Sequence, residues 1–266
     1  MNKTLLFSDV HLKVTDAARA ERAAFVAFLR GCAPDRFERL VCLGDLFDFW
    51  FEYRHAVFSD CFEVLRAFAE LRDAGLELHL VCGNHDFWAG RFLRDELGFH
   101  IHREPVALPF GARCAHLAHG DGVNPRDYGY RIYKRFARNP LVIGAFRLLH
   151  PDWAMGIARL VSHSSRSMLE VEDTSAGPEA EAIREYARGV LARGEADMVL
   201  CGHAHARFLE EHPTPRGAGL YINPGAWLDR HEYMLWDGAD FLPCVYRGGM
   251  VDDAANLAEQ AGPGEE

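Results

Sequence analysis

No apolar stretch among the 266 residues approaches the length of a transmembrane helix, so any membrane contact is expected to be from the surface. Thr4-Leu5-Leu6-Phe7 is too short for a signal peptide and runs straight into a motif, which points to the cytoplasm. Cys-x-x-Cys is missing. The seven cysteines (Cys32, Cys42, Cys61, Cys82, Cys114, Cys201 and Cys244) are odd in number and scattered, several inside apolar runs where Cys acts as a small buried hydrophobe. That pattern excludes a disulfide framework and fits a reducing compartment. Positive charge is in deficit: 29 Lys and Arg against 39 Asp and Glu leave a net −10, which argues against a general nucleic-acid binder. Repeats are absent, and apolar periodicity is lost only from Gly248 onward, so residues 248–266 are expected to form a flexible tail.

What remains is 49% apolar, enough for one sizeable α/β domain or a domain carrying a large insert. The first half alternates strands and helices: strands at Leu5–Ser8, Leu40–Leu43 and Leu76–Val81, helices near Ala17–Arg30, Phe58–Ala74 and Trp88–Leu97. Such alternation implies right-handed β-α-β units and a mostly parallel sheet. Later, Arg103–Ala118 and Leu220–Tyr246 hold short strand-like runs broken by Gly and Pro, which suggest a mixed or antiparallel sheet. Glu179–Arg193 is helical by pattern, and Met198–Leu200 is a further strand.

One stretch differs in composition. Val123–Met168 carries eight basic residues and two acidic ones, a local +6 within a protein of −10. Tyr128, Tyr130, Tyr133, Phe136, Phe146, Trp153 and many aliphatic residues are interleaved with them. A helical insert over 123–169, both basic and oily, is expected. Such helices lie on anionic surfaces or cradle amphiphiles, although an ordinary amphipathic pair packed on its own domain has the same pattern.

Five segments each place metal-ligand residue types at the end of an apolar run: Asp9-Val10-His11, Gly44-Asp45, Gly83-Asn84-His85-Asp86, His119-Gly120-Asp121 and Gly202-His203-Ala204-His205. In an extended chain, residues two apart share a side, so Asp9 and His11 can reach one ion. Asp45 can bridge two cations, Asn84 offers an amide oxygen, and His119, His203 and His205 offer nitrogens. Mixed carboxylate, amide and imidazole donors suit Mn²⁺, Fe²⁺ or Zn²⁺ better than Ca²⁺. Two such ions about 3.5–4 Å apart can clamp a phosphoryl group during in-line displacement. Any one segment alone is more often a cap, a loop or a core feature. Five together, in this order, are not.

The ordered set resembles the calcineurin-like metallophosphoesterases, whose pattern is D-x-H, G-D, G-N-H-D, H and G-H-x-H, from about Leu5 to Trp236. The resemblance implies an α/β sandwich of two mixed β-sheets flanked by helices, over residues 1–247 with the helical lid insert. It implies one metal held by Asp9, His11, Asp45 and His205 and another by Asp45, Asn84, His119 and His203, both divalent, with Mn²⁺ first and Fe²⁺ or Zn²⁺ as alternatives. It further implies that His85 donates a hydrogen bond or proton near the leaving oxygen, with Asp86 orienting it.

Within that superfamily, Leu43-Gly44-Asp45-Leu46-Phe47-Asp48 and His119-Gly120-Asp121, followed by the oily insert, resemble the UDP-2,3-diacylglucosamine hydrolases of lipid A synthesis. His85, the aromatic run from Phe47 to Tyr53 and Leu149-His150-Pro151-Asp152 are similar to a divergent branch of that family. The resemblance implies cleavage of a lipid-linked nucleotide sugar to UMP and 2,3-diacylglucosamine 1-phosphate at the inner face of the bacterial inner membrane. No nucleic-acid or protein partner is implied. Asn84 and His85 would touch substrate, Asp127 and Tyr130 would contact the headgroup, and the polar cluster from Ser162, with Ser165 and Arg166, reads either as a site for phosphate or glucosamine or as a solvated turn. The aromatic run reads mainly as core, with some members lining an acyl or base pocket. Asn223-Pro224-Gly225-Ala226-Trp227 reads as a loop closing over the metal centre. A soluble phosphodiesterase or phosphatase of nucleotides is the rival enzyme, and a non-catalytic scaffold docking through its basic helices is the rival of another class.

Overall fold

Aliphatic tetrapeptides build the two central layers. Thr4–Phe7 (β1), Arg39–Cys42 (β2) and Met198–Cys201 (β7) are buried along their whole length, as strands covered on both faces must be. The computed structural model describes residues 3–157, 177–228 and 230–257. A six-stranded sheet has the order β11-β10-β1-β2-β3-β4, adding Glu77–Val81 (β3), Phe99–His102 (β4), Glu232–Trp236 (β10) and Phe241–Val245 (β11). β1 to β4 pair in parallel, whereas β10 lies antiparallel to β1 and β11 to β10. A five-stranded sheet has the order β5-β6-β7-β9-β8, built from Val106–Phe110 (β5), Arg113–Ala118 (β6), β7, Arg207–Thr214 (β8) and Gly217–Pro224 (β9). Both sheets are mixed, as expected.

Three apolar seams join four layers. Arg19–Arg30 (α1) and Phe62–Asp73 (α2) bury Phe25, Phe28, Leu29, Leu65 and Phe68 against the first sheet. Between the sheets, Leu6, Val41, Leu117, Leu200 and Ile222 interdigitate. Pro178–Ala192 (α6) closes the second sheet with Ile183, Ala187 and Leu191. The insert is helical where described: Tyr128–Ala137 (α3), Pro140–Phe146 (α4) and residues 151–157 (α5).

Three expectations need correction. The helix placed at Trp88–Leu97 shrinks to a π-helical turn at Phe92–Glu96. Its entry is held by the Glu52 carboxylate, which accepts from the backbone of Gly90 (2.7 Å) and Phe92 (2.8 Å). β4 and β8 stand where no strand was expected. Both are edge strands rich in polar residues, so the apolar run that betrays a central strand is missing. Residues 248–257 do not fray. Val251 and Asn256 are fully buried, Asp252 pairs with Lys3 and Arg36, and the Asn256 side chain accepts from Arg247 N. One apolar anchor and a few satisfied polar groups suffice without periodicity. Residues 258–266 lie outside the described residues.

Candidate metal centre

The parallel strands deliver every expected ligand to one end of the sandwich. Asp9 and His11 follow β1, Asp45 follows β2, Asn84 follows β3, His119 follows β6, and His203 and His205 follow β7. This is the carboxyl-end crevice where open α/β sheets place ligands. The loops are laced together by main-chain bonds: Asp9 N donates to Gly44 O (3.0 Å), His11 N to Asp45 O (2.9 Å) and Gly202 N to His119 O (2.9 Å). Gly44 has φ +103°, and a Cβ there would fall on His119 Nδ1; a Cβ at Gly83 would fall on Asp45 Oδ1. Only glycine lets these loops approach so closely.

Backbone strain concentrates here. Among the described residues, six non-glycine positions have positive φ: Asp9, His11, Asp45, His203, His205 and His231. Five of the six are expected ligands. Left-handed φ at a non-glycine residue costs about 1–3 kcal/mol, and such cost persists where the surrounding structure enforces it.

Side-chain donors gather in two triads, Asp9 with His11 and His205, and Asp45 with His119 and His203, each with ligand atoms mutually within 4.8 Å. A third group joins His11, Asp48 and His85. One oxygen links the triads: Asp45 Oδ2 lies 3.8 Å from His11 Nε2 and 3.3 Å from His119 Nε2. His11 Nε2 and His205 Nε2 face each other at 3.2 Å. Asp9 Oδ1, Asn84 Oδ1 and His119 Nε2 are buried without any hydrogen-bond partner. Burying unpaired polar atoms is costly, so these three orphans, all on expected ligands, fit the donor set of a cation site. The groups behind them are firmly held. His119 Nδ1 donates to Leu43 O (2.7 Å), which leaves Nε2 as the free donor nitrogen, and Asp9 Oδ2 accepts from His203 N (2.9 Å).

Electrostatics agree with ligation. Burial works against charge at Asp9 and Asp45, yet His205 at the first and His119 and His85 at the second hold both carboxyls below their usual range. Burial pushes His11 well down and His203 to about 4, so both present neutral imidazole. Burial opposes protonation of His119 and His205 too, but Asp45 lifts His119 to about 10 and Asp9 raises His205. Those two protons occupy positions that cations would take, and metal binding would release them.

Asp86 has a different role from the expected one. It does not orient His85. Its oxygens accept from Gly83 N (2.7 Å) and Leu46 N (2.8 Å), bolting the Asn84 turn to the Asp45 loop. Burial and the neighbouring Asp45 charge push Asp86 up to about 7. His85 is oriented instead by donating Nδ1–H to the Asp48 carbonyl (2.6 Å) and by packing edge-on to His11.

Asp127 and Tyr130, expected at a headgroup, are engaged within the protein. Asp127 caps α3 by accepting from Tyr130 N (2.8 Å), and Tyr130 Oη donates to Asp121 Oδ2 (2.8 Å). Ser162 to Arg166, including Ser165 and Arg166, lie outside the described residues. The loop at Asn223–Trp227 does not close over the cluster but braces it from behind: Trp227 N donates to Ser8 O, and the buried Asn223 amide donates to Gly202 O (2.9 Å). In the aromatic run, Phe47, Trp50 and Phe51 are buried, whereas Phe49 meets Trp88 and Phe146 of α4.

Asp121 is the functional residue that the sequence did not assign. Its Oδ2 takes Tyr130 Oη, Lys134 Nζ (2.7 Å) and Arg138 (3.2 Å), so α3 hangs by three contacts from the segment that carries His119. The signal lay in its adjacency to His119 and in the i, i+4, i+8 spacing of its partners. Charge-assisted bonds of this kind are worth about 1.5–3 kcal/mol each. Asp121→Asn is therefore expected to speed limited proteolysis within residues 128–157 roughly tenfold while bound metal stays unchanged; an unaltered cleavage rate would show that this carboxylate does not latch the insert.

Comparison with known proteins agrees with the geometry. Residues 3–207 match the family described as Calcineurin-like phosphoesterase. A UDP-2,3-diacylglucosamine hydrolase of Porphyromonas gingivalis is 32% identical, over 91% of this chain and 96% of its own. One of Stutzerimonas stutzeri is 30% identical, over 87% and 93%. Among solved structures, a dimetal phosphatase of Danio rerio aligns over 97% of this chain and 99% of its own at 14% identity and TM-score 0.45, a likeness too loose to bear on the site.

Proposed function

The chain belongs to the calcineurin-like phosphoesterase family, and from that premise we propose that it hydrolyses the pyrophosphate of UDP-2,3-diacylglucosamine, releasing UMP and 2,3-diacylglucosamine 1-phosphate. The observation that carries the lipid reading is the insert. Of twelve large apolar side chains exposed among the described residues, eight fall between Tyr128 and Ile157, including Leu141 (83%), Leu148 (88%) and Trp153 (70%). An apolar, basic surface latched to the ligand cluster by Asp121 suits a substrate with acyl chains and an anionic head. It also suits contact with the cytoplasmic face of a membrane, since no helix among the described residues is long and apolar enough to cross one.

Asp9, His11, Asp45 and His205 would hold one divalent ion, and Asp45, Asn84, His119 and His203 the other, with Mn²⁺ preferred. Such a pair supplies positive charge for the phosphoryl oxygens and a water nucleophile at neutral pH. The chain's own groups do the rest. Asp9 and Asp45 keep the cluster's charge low enough for an anion to enter without being trapped. His85 commits Nδ1–H to the Asp48 carbonyl, so Nε2 would donate to the departing phosphate oxygen in the imidazolium form.

The test is turnover by Mn²⁺-loaded protein of UDP-2,3-diacylglucosamine in detergent micelles, beside bis(p-nitrophenyl) phosphate in buffer. UMP and the acylated sugar phosphate are the expected products. Activity confined to the soluble ester would overturn the lipid reading and favour a general phosphodiesterase.

A further inference from the structure

A cavity of about 780 Å³ contains none of the expected metal ligands. Its volume falls within the range of about 300–1,000 Å³ usual for small-molecule sites. Its lining comes from residues 52–57, from residues between Trp88 and Glu96, from Arg103, and from Arg147 at α4's end. Trp88 sits three residues past His85 and contacts Phe49, the residue after Asp48, at 5.6 Å. The segments that line the cavity thus continue from Asp48 and His85, which group with the expected ligand His11.

Its chemistry is that of a site for an aromatic anion. Five arginines line it against three acids. Two of the acids are already occupied: Glu52 accepts from Gly90 N, Phe92 N and Trp50 Nε1, and Asp95 pairs with Arg94 and Arg91. Glu96 at the rim is exposed and has no ion pair among the described residues. Arg103 is spent on the carbonyls of Phe87 and Ala89. Arg54 and Arg147, from separate elements, find no acid within ion-pair distance among the described residues; Arg147 lies over the Phe51 ring at 5.8 Å. Tyr53 Oη is buried with no hydrogen-bond partner. The half-buried Trp88 ring is fixed by its Nε1–H bond to Ala137 O of α3 (3.2 Å), which makes it a rigid stacking face.

We propose that this cavity is the subsite for the nucleoside monophosphate half of the substrate. The base stacks on Trp88 with a polar edge towards Tyr53, while Arg54 and Arg147 take the phosphate and ribose oxygens. The proposal rests on the pyrophosphate reading above, to which it adds direction: the nucleotide runs towards the Trp88 cavity, leaving the apolar insert to the acylated sugar.

Two experiments on the full-length, metal-loaded protein decide it. Photo-crosslinking with 5-iodouridine 5′-monophosphate, mapped by peptide mass spectrometry, should label segments 53–57 or 88–92; labelling elsewhere, or none, overturns the subsite. UMP inhibition of bis(p-nitrophenyl) phosphate hydrolysis should weaken roughly tenfold or more in R54Q/R147Q, as expected for two lost charge-assisted contacts. An unchanged inhibition constant overturns the assignment of these arginines. Failure of the wild-type protein to cleave the lipid substrate would instead defeat the proposed function, while the cross-link would still report on the cavity.

Discussion

Asp45→Asn is expected to lower turnover on the order of 10³-fold, about 4 kcal/mol of barrier at 1.36 kcal/mol per tenfold, and to reduce bound metal below two equivalents. The reason is position. Asp45 Oδ2 lies within 4 Å of a donor nitrogen from each triad, His11 Nε2 and His119 Nε2. Its other oxygen accepts from His85 N (3.0 Å), so the same carboxylate also sets the turn that carries Asn84. An amide keeps the shape but brings no charge to share between two cations. Folding should survive, because the substitution relieves Asp86 of a like charge that helps push it to about 7. Turnover with added Mn²⁺, metal content by elemental mass spectrometry and a thermal melt check this together. Full metal content with near-normal turnover would remove Asp45 from the centre of the account.

His85→Gln is expected to lower kcat by about 10²- to 10³-fold, the usual contribution of a positioned acid or base, with metal content retained. KM should move little. His85 is anchored by Asp48 O and packs on the His11 ring at 4.8 Å, so it borders the cluster while both triads are complete without it. Kinetics and metal content measured on one preparation separate the two roles open to it. Loss of metal in step with loss of rate would make His85 a ligand, in line with the third group it forms with His11 and Asp48.

The convergence of the candidate ligands was legible because their residue types are chemically rare at strand ends. Asp9, Asp45, Asn84, His119, His203 and His205 each end an apolar run, and parallel pairing of β1 with β2, of β2 with β3, and of β6 with β7 carries those ends to one crevice. The central strands were legible for the same reason: burial on both faces forces unbroken aliphatic sequence. Edge strands have no such signature. β8 buries Phe208, then runs through Glu210, Glu211 and His212 in succession, and it tolerates Pro213 because one side needs no ladder partner.

Roles that depend on side-chain direction were the hardest to read. Asp86 follows His85 directly, yet its carboxylate turns towards Leu46 N and Gly83 N. Asp127 resembles a headgroup contact by motif and is a helix cap by geometry. Asp121 looked like the tail of a motif and holds Tyr130 and Lys134 of α3 and Arg138 just past it. Segment 248–257 lacks periodicity because it is pinned by single residues, Val251, Asp252 and Asn256, rather than by a repeating face.

The central claim is that seven side chains share two cations across one oxygen of Asp45. Anomalous diffraction at the manganese edge, on crystals of the Mn²⁺-loaded protein, tests it most directly. Two peaks are expected, about 3.5–4 Å apart, one among Asp9, His11 and His205 and the other among Asn84, His119 and His203, with Asp45 between them. A single peak, or a pair located away from Asp45, would contradict the account.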